Sequence, residues 1–434
     1  MADSVMPDFQ PIKMLEVELS SPLLSLEAHQ QDGKTPYSRA RVLVRLHRHP
    51  LGMIDVSLED GRLSPNEYVD QVWRELSGNI NSHLRTDGIS AVTELTLAGI
   101  VAERTPSCVE QDQTFLMTAP FISVVVPTRD RTDRLEGCLN TLLAQDYPSY
   151  ELIVVDNAPR TSATEELASR LRADQPRIRY VCEPQPGVAA ARNRGLLEAR
   201  ANIIAFADDD VLVDSYWLIG IAKAFAAADK VGCVTGPILP AEIETAPQWW
   251  LELFGGNTHG FTQQVFDLAE HRVASSFYPY ESGAFGAGAN MAFDKQVLRE
   301  IGGFYLSLRY GEDMMAFFNT LAAGYRLVYE PSAFVYHFHF REYARLRKQM
   351  SAWGAGFTAF LTACILDRPT RFFDLLLRCL KVVRQGRVVR QETKPGGYPA
   401  ELPRLHRRGM LYGPVAYAKG RWRARLIPAR LKLK

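Results

Sequence analysis

Ile203-Ile204-Ala205-Phe206-Ala207-Asp208-Asp209-Asp210 is the stretch on which the reading of this chain turns. Five apolar residues in a row, too few for a helix, describe a strand buried on both faces. Three carboxylates come directly after it. Adjacent like charges repel, and at the end of a buried strand they are costly unless a cation or a hydrogen-bond network offsets them. Divalent ions such as Mg²⁺ or Mn²⁺ prefer oxygen ligands and often bridge one or two carboxylates to a diphosphate. The same triplet can serve as an acidic turn, with Asp210 or Asp214 capping the next helix.

Outward from this stretch the pattern repeats. Ile122-Ser123-Val124-Val125-Val126 ends at Pro127, and Leu152-Ile153-Val154-Val155 ends at Asp156. Ile178-Arg179-Tyr180-Val181 and Val231-Gly232-Cys233-Val234 are further short apolar runs. Helical periodicity fills the intervals at 135–144, 164–172, 188–199 and 217–227. Buried strands alternating with helices predict an α/β fold, a mostly parallel sheet with helices on both faces. Such sheets bind ligands at the carboxyl ends of their strands, where Thr128, Asp156 and Asp208 to Asp210 fall.

Other residues near those ends carry chemistry. Asp156 is placed to accept hydrogen bonds from a ribose or base, or to make a turn. Arg129 and Arg131 reach phosphates or remain solvated. Pro186-Gly187-Val188-Ala189-Ala190-Ala191-Arg192-Asn193-Arg194-Gly195 opens a helix on small residues, which admits an anion to the helix end or serves helix–sheet packing. Gly311-Glu312-Asp313 precedes a helix with Met314, Phe317, Phe318 and Leu321 on its apolar stripe; the acids cap that helix or supply a general base. His337 and His339 end a strand-like stretch beside the proposed metal position.

Together these pieces resemble the inverting, family 2 type glycosyltransferases of the GT-A fold, a Rossmann-like architecture. The matching motifs run in order: Val124 to Thr128, Val154 to Asn157, Gly187 to Gly195, Ile204 to Asp210, Gly302-Gly303-Phe304, Gly311-Glu312-Asp313, and Gly324-Tyr325 with His337. The resemblance covers about residues 120–340. It implies that Pro127, Thr128 and Arg129 line a nucleotide pocket, with Asp209 beside them. It implies that Asp156 holds the base or ribose and Arg192 sits near the diphosphate. Asp208 and Asp210 would be the outer members of an Asp-X-Asp motif holding Mg²⁺ or Mn²⁺, with His337 or His339 completing the site. Asp313 looks like the catalytic base that deprotonates an acceptor hydroxyl, with Glu312 its helper or the alternative base. The implied partners are a nucleotide-diphosphate sugar and a hydroxyl-bearing glycan, lipid-linked sugar or small metabolite. A sugar-phosphate nucleotidyltransferase is disfavoured, because a Gly-rich phosphate loop is expected where Pro127-Thr128-Arg129-Asp130 stands. A non-catalytic binding protein would not need both the triplet and the Glu-Asp pair.

The flanks lie outside the resemblance. Residues 1–115 read as a small α+β domain. Arg41 to His47 alternates charged and apolar residues as a half-buried strand does, and Met53 to Leu58 repeats it. Ser64-Pro65-Asn66-Glu67 is a helix start. His47 and His49 read as strand and turn residues, and 103–118 as a linker to the catalytic domain at 120–340. Trp249-Trp250 stack on a sugar or pack in a core. From 341 to 434 the chain reads as a helical basic region. Residues 371–434 hold seventeen Lys and Arg against three acids, +14 in a chain of net +1, which leaves −13 for residues 1–370. That split suits peripheral contact with an anionic membrane, or helices docked on the acidic body. Few aromatics interleave the basic residues, so nucleic acid is not expected.

The composition, 47% hydrophobic and 23% charged, excludes a disordered or fibrous chain of 434 residues. Six scattered cysteines suit a reducing compartment. No leader pattern is seen, and the longest apolar runs, 121–127 and 357–366, fall short of the roughly 20 residues that span a bilayer. A cytoplasmic location is therefore expected.

Overall fold

The computed structural model describes residues 9–30, 35–256, 258–384 and 397–432. Arg387, Arg390, Lys394 and Lys434 of the basic count lie outside the described residues. An eight-stranded sheet forms the centre, in the order Gln264–Phe266, Arg326–Tyr329, Val231–Thr235, Asn290–Asp294, Ile203–Ala207, Ile122–Thr128, Tyr150–Asn157 and Ile178–Glu183. Ile122–Thr128 pairs in parallel with both Tyr150–Asn157 and Ile203–Ala207. Only Asn290–Asp294 and Gln264–Phe266 run against the others. The continuous apolar runs are explained by burial on both faces: every residue of Ile122–Thr128, Tyr150–Asn157 and Ile203–Ala207 is buried. Thr132–Leu143 covers one face through Leu135, Leu139 and Leu142, whereas Val188–Glu198 packs its alanines on the other. The predicted mostly parallel α/β architecture is present.

A three-stranded side sheet stands next to the acid triplet. Val335–His337 pairs antiparallel with Val211–Val213 and parallel with Ile238–Pro240. Val211 faces His337 across it, so the register itself brings His337 to the end of the triplet.

The N-terminal unit is α+β. Ile12–Glu18 and His49–Ser57 flank Arg39–Leu46, and Pro65–Thr86 packs Val72, Leu76, Ile80 and Leu84 against them. The helix starts as its sequence indicates, with the Ser64 amide donating to the Glu67 carboxylate at 2.7 Å. The stretch 103–118 differs from the expected linker: Ser107–Leu116 is a helix. Its polar side chains have tertiary partners, since Asp112 takes the Tyr216 hydroxyl at 2.6 Å and the Lys223 ammonium at 2.5 Å.

The C-terminal region is helical, with Tyr343–Asp367, Arg371–Arg384 and Glu401–Ala424. Tyr343–Asp367 is 25 residues long and, by length and composition alone, apolar enough to cross a membrane. A count of contiguous apolar residues misses this, because alanine, glycine and threonine extend the run. In the structure Ala359, Phe360, Ala363 and Cys364 pack on Met315 and Phe318 of the helix Glu312–Ala322. Of the two readings open for Phe357 to Leu366, an interfacial helix or a helix docked on the acidic body, the packing matches the docked helix. The exposed apolar side chains lie on the next helix, at Phe372, Phe373, Leu376, Leu377 and Leu380.

Candidate active site

The carboxyl ends of Ile122–Thr128 and Ile203–Ala207 are neighbours, and the side chains just beyond one strand meet those just beyond the other. The Thr128 hydroxyl donates to Asp209 Oδ2 at 2.7 Å. Arg131 splits its guanidinium between Asp209 Oδ1 at 2.8 Å and Asp210 Oδ2 at 2.6 Å. The other Asp210 oxygen accepts from His337 Nε2 at 3.2 Å. His337 Nδ1 lies 3.1 Å from His339 Nδ1, and His339 Nε2 lies 2.8 Å from Glu252 Oε1. Of the two histidines, His337 meets the aspartates and His339 backs it. Pro127, Thr128, Arg129, the three aspartates and His337 line a cavity of about 410 Å³.

A second set of acids joins from below. Gly311, with φ +85°, starts the helix Glu312–Ala322 in a left-handed turn, and a Cβ there would press on Met314 and Gly356. Arg192 is buried and donates to Glu312 Oε1 at 2.7 Å, to Asp208 Oδ1 at 2.9 Å and to the Gly288 carbonyl at 2.9 Å. The Gly288 amide donates to Asp313 Oδ2 at 2.8 Å. A Cβ on Gly288 would lie 2.8 Å from both terminal nitrogens of Arg192, so a larger residue here would force the buried guanidinium to shift.

The charges are unevenly matched. Five carboxyl groups, at Asp208, Asp209, Asp210, Glu312 and Asp313, face the guanidiniums of Arg131 and Arg192 and the imidazole of His337. Burial pushes the Asp209 carboxyl up to about 7, with Arg131 opposing. Burial and the neighbouring Asp313 push Glu312 up to about 8 against the pull of Arg192. Burial opposes charge on Asp210 too, but His337 and Arg131 outweigh it and hold this carboxyl well below its ordinary range. Burial disfavours charge on His337, and Asp210 more than compensates, raising it. Asp208 and Asp210 offer oxygen donors where carboxyl groups outnumber cations, which suits a hard divalent ion, and the His337 imidazole stands beside them as a further donor.

Several expected positions differ from the sequence reading. Asp156 does not line the cavity; it is fully buried, accepts from the Tyr180 hydroxyl at 3.1 Å, and its Oδ1 has no partner among the described residues. Burial raises it. Its neighbour Asn157 reaches the cavity and accepts from the Gly187 amide at 2.8 Å. Arg192, expected beside a diphosphate, bonds both Asp208 and Glu312. Glu312 is buried against it, whereas the half-buried Asp313 is the acid left nearer solvent. Arg131, read as a phosphate contact or a solvated residue, holds two aspartates; nothing in its spacing signals that. Trp250 is buried against Tyr343 and Trp249 lies under Arg41, so both pack rather than face a ligand.

Comparison with known proteins points to one family. Residues 123–302 match the family model described as glycosyl transferase family 2. Glycosyltransferase AglE of Haloferax volcanii is 35% identical over 104 residues, covering 23% of this chain and 34% of that protein. Pre-mycofactocin glycosyltransferase of Mycobacterium tuberculosis is 25% identical over 236 residues, covering 54% of this chain and 44% of the relative. The chain thus spans about a third to under half the length of these relatives. Among solved structures, the mannosyltransferase PcManGT from Pyrobaculum calidifontis, in complex with GDP-Man and Mn²⁺, aligns over 71% of this chain and 76% of its own at 20% identity and a TM-score of 0.41.

Proposed function

The chain carries a family 2 glycosyltransferase domain, and from that premise we propose that it moves a sugar from a nucleoside-diphosphate donor to an acceptor hydroxyl, with inversion at the anomeric carbon. The observation that carries this is Arg192, which ties Asp208 of the triplet to Glu312, the neighbour of Asp313, in one buried knot. Acids that are far apart in sequence therefore serve one site.

Asp313 is the base. The Gly288 amide fixes one of its oxygens, and its carboxylate takes the proton from the acceptor hydroxyl as that oxygen attacks. Glu312 and Arg192 hold the helix start that presents Asp313. Arg129 and Asn157, on the cavity wall, contact the donor nucleotide. Asp208 and Asp210, with His337, would hold Mg²⁺ or Mn²⁺; when bound, such an ion offsets the charge building on the departing diphosphate. One base and one departing group on opposite faces give a single displacement and need no carboxylate nucleophile.

The acceptor classes that fit are a glycan, a lipid-linked sugar or a small metabolite. The corresponding location is the cytoplasm, with the exposed apolar side of Arg371–Arg384 as the place where an anionic inner membrane surface would touch. Absence of binding to anionic vesicles at low salt would remove that contact. For the reaction itself, the test is Asp313→Asn against a panel of nucleotide sugars. Transfer should fall by about 10²–10⁴ with nucleotide affinity retained; full transfer by the variant would reject the assigned role.

A further inference from the structure

Away from the sheet edge, four side chains from the N-terminal unit converge. His47 comes from the turn between Arg39–Leu46 and His49–Ser57. His83 lies in the last turn of Pro65–Thr86, Asp87 is the residue that ends that helix, and Cys108 opens Ser107–Leu116. Their donor atoms all lie within 4.8 Å of one another. His47 Nδ1 is 2.7 Å, His83 Nε2 3.1 Å and Cys108 Sγ 3.1 Å from Asp87 Oδ2, and Cys108 Sγ is 4.0 Å from His83 Nε2. A tetrahedral zinc centre with bonds of about 2.0–2.3 Å sets its donors roughly 3.3–3.8 Å apart. The observed separations bracket that range.

We propose that His47, His83, Asp87 and Cys108 bind one zinc ion as a structural site. Two imidazoles, one carboxylate and one thiolate are all donors that zinc takes, and four protein donors close a tetrahedral site as structural centres do. The charges cancel: thiolate and carboxylate neutralise the dication, so the buried site carries no net charge. On binding, Cys108 loses its thiol proton to solvent, and each imidazole keeps its proton on the nitrogen away from the metal. A catalytic cysteine is the wrong reading, because the thiol points at a carboxylate, which opposes thiolate formation, and stands 4.0 Å from the nearer imidazole.

The backbone supports the same assignment. His47 and Arg48 both hold positive φ, +52° and +73°, in a tight hairpin turn where Asn-Gly is the usual choice. Glu18 steadies the turn by accepting both amides at 3.0 Å. The outcome is an imidazole turned inward onto Asp87. A cavity of about 560 Å³, lined by His49, His83, Asp87, Cys108, Tyr216 and Lys223, gives an ion a way in. The site would clamp Ser107–Leu116 to the N-terminal unit. Because Asp112 of that helix holds Tyr216 and Lys223, the clamp extends to the catalytic domain.

The experiment is zinc analysis of the purified full chain, with cobalt exchanged in as a spectroscopic probe. The expected result is about one zinc per chain surviving dialysis and, after exchange, a cobalt–thiolate charge-transfer band. Cys108→Ser should abolish the band and the retained zinc, and Cys138→Ala, beside the aspartates of the sheet edge, should keep both. Cys108→Ser keeps a hydrogen-bond donor for Asp87, so its loss of metal can be separated from misfolding by circular dichroism. No cobalt–thiolate band in the unsubstituted chain, or a band that persists in Cys108→Ser, would overturn the proposal. Neither result bears on Asp313 or on sugar transfer.

Discussion

Two polar clusters are built into this chain on opposite principles. At the sheet edge, carboxyl groups outnumber cations, the group opens on a cavity, and two arginines tie the acids together. In the N-terminal unit, a single carboxylate gathers two imidazoles and a thiol, and although a cavity leads to them, the four donors would leave a tetrahedral ion no open coordination position. An open site with surplus negative charge suits an exchanging cation and a phosphate-bearing ligand. A closed site with matched charge suits an ion that stays. If both assignments hold, donor type and coordination closure, rather than the mere presence of acids, separate an exchanging site from a clamp.

The contrast can be broken most severely at Arg192. Arg192→Met leaves Asp208 and Glu312 without their buried cation, and the cost should be about 3–5 kcal/mol, read as a large fall in melting temperature together with loss of transfer. A variant as stable as the parent would show that Arg192 does not hold the cluster. Chelation strikes the other cluster. A strong chelator should lower the melting temperature of the unsubstituted chain and leave Cys108→Ser unmoved; equal responses would erase the difference between the two sites. Next in size is Gly288→Ala, where the new Cβ crowds Arg192. The loss should be about 1–3 kcal/mol, with a fall in kcat larger than any rise in KM.

The smallest effect is a pH slope. The Glu312 carboxyl is held at about 8 in the folded chain, above its ordinary 4.5, so the folded state keeps a proton that the unfolded state releases. Stability is therefore greater at the acid end of that window and declines as pH rises toward 8. Asp209, raised to about 7, adds a slope of the same sign. Glu312→Gln should flatten the decline in urea denaturation between about pH 5 and pH 8 without removing it. An unchanged slope would show that Glu312 is not the group responsible.

How much of the molecule is legible in its sequence depends on how each part is buried. Strands covered on both faces leave continuous apolar runs, so Ile122–Thr128, Tyr150–Asn157 and Ile203–Ala207 are visible, and the acids at their ends with them. Asn290–Asp294 is not, because it adjoins a Gly-rich stretch and pairs antiparallel inside a parallel sheet. The helix Ser107–Leu116 is hidden by its polarity, since what fixes Asp112 is Tyr216 and Lys223, about a hundred residues away. The same limit conceals the histidine–cysteine cluster. Positions 47, 83, 87 and 108 make no short motif, and only His83 and Asp87, one turn apart at the end of a helix, carry a local signal. Arg192 is recognisable as a site residue but not by its neighbours, because sequence does not reveal which carboxylate a buried guanidinium will choose.

The decisive experiment on the sheet edge needs no knowledge of the acceptor: thermal shift of the full chain and of Asp210→Asn with a panel of nucleoside diphosphates, with and without Mn²⁺. One nucleotide should raise the melting temperature of the unsubstituted chain only when Mn²⁺ is present, and Asp210→Asn should lose that rise. A rise of equal size in Asp210→Asn, or no nucleotide that binds at all, would contradict the assignment of the acid triplet to a metal-held diphosphate.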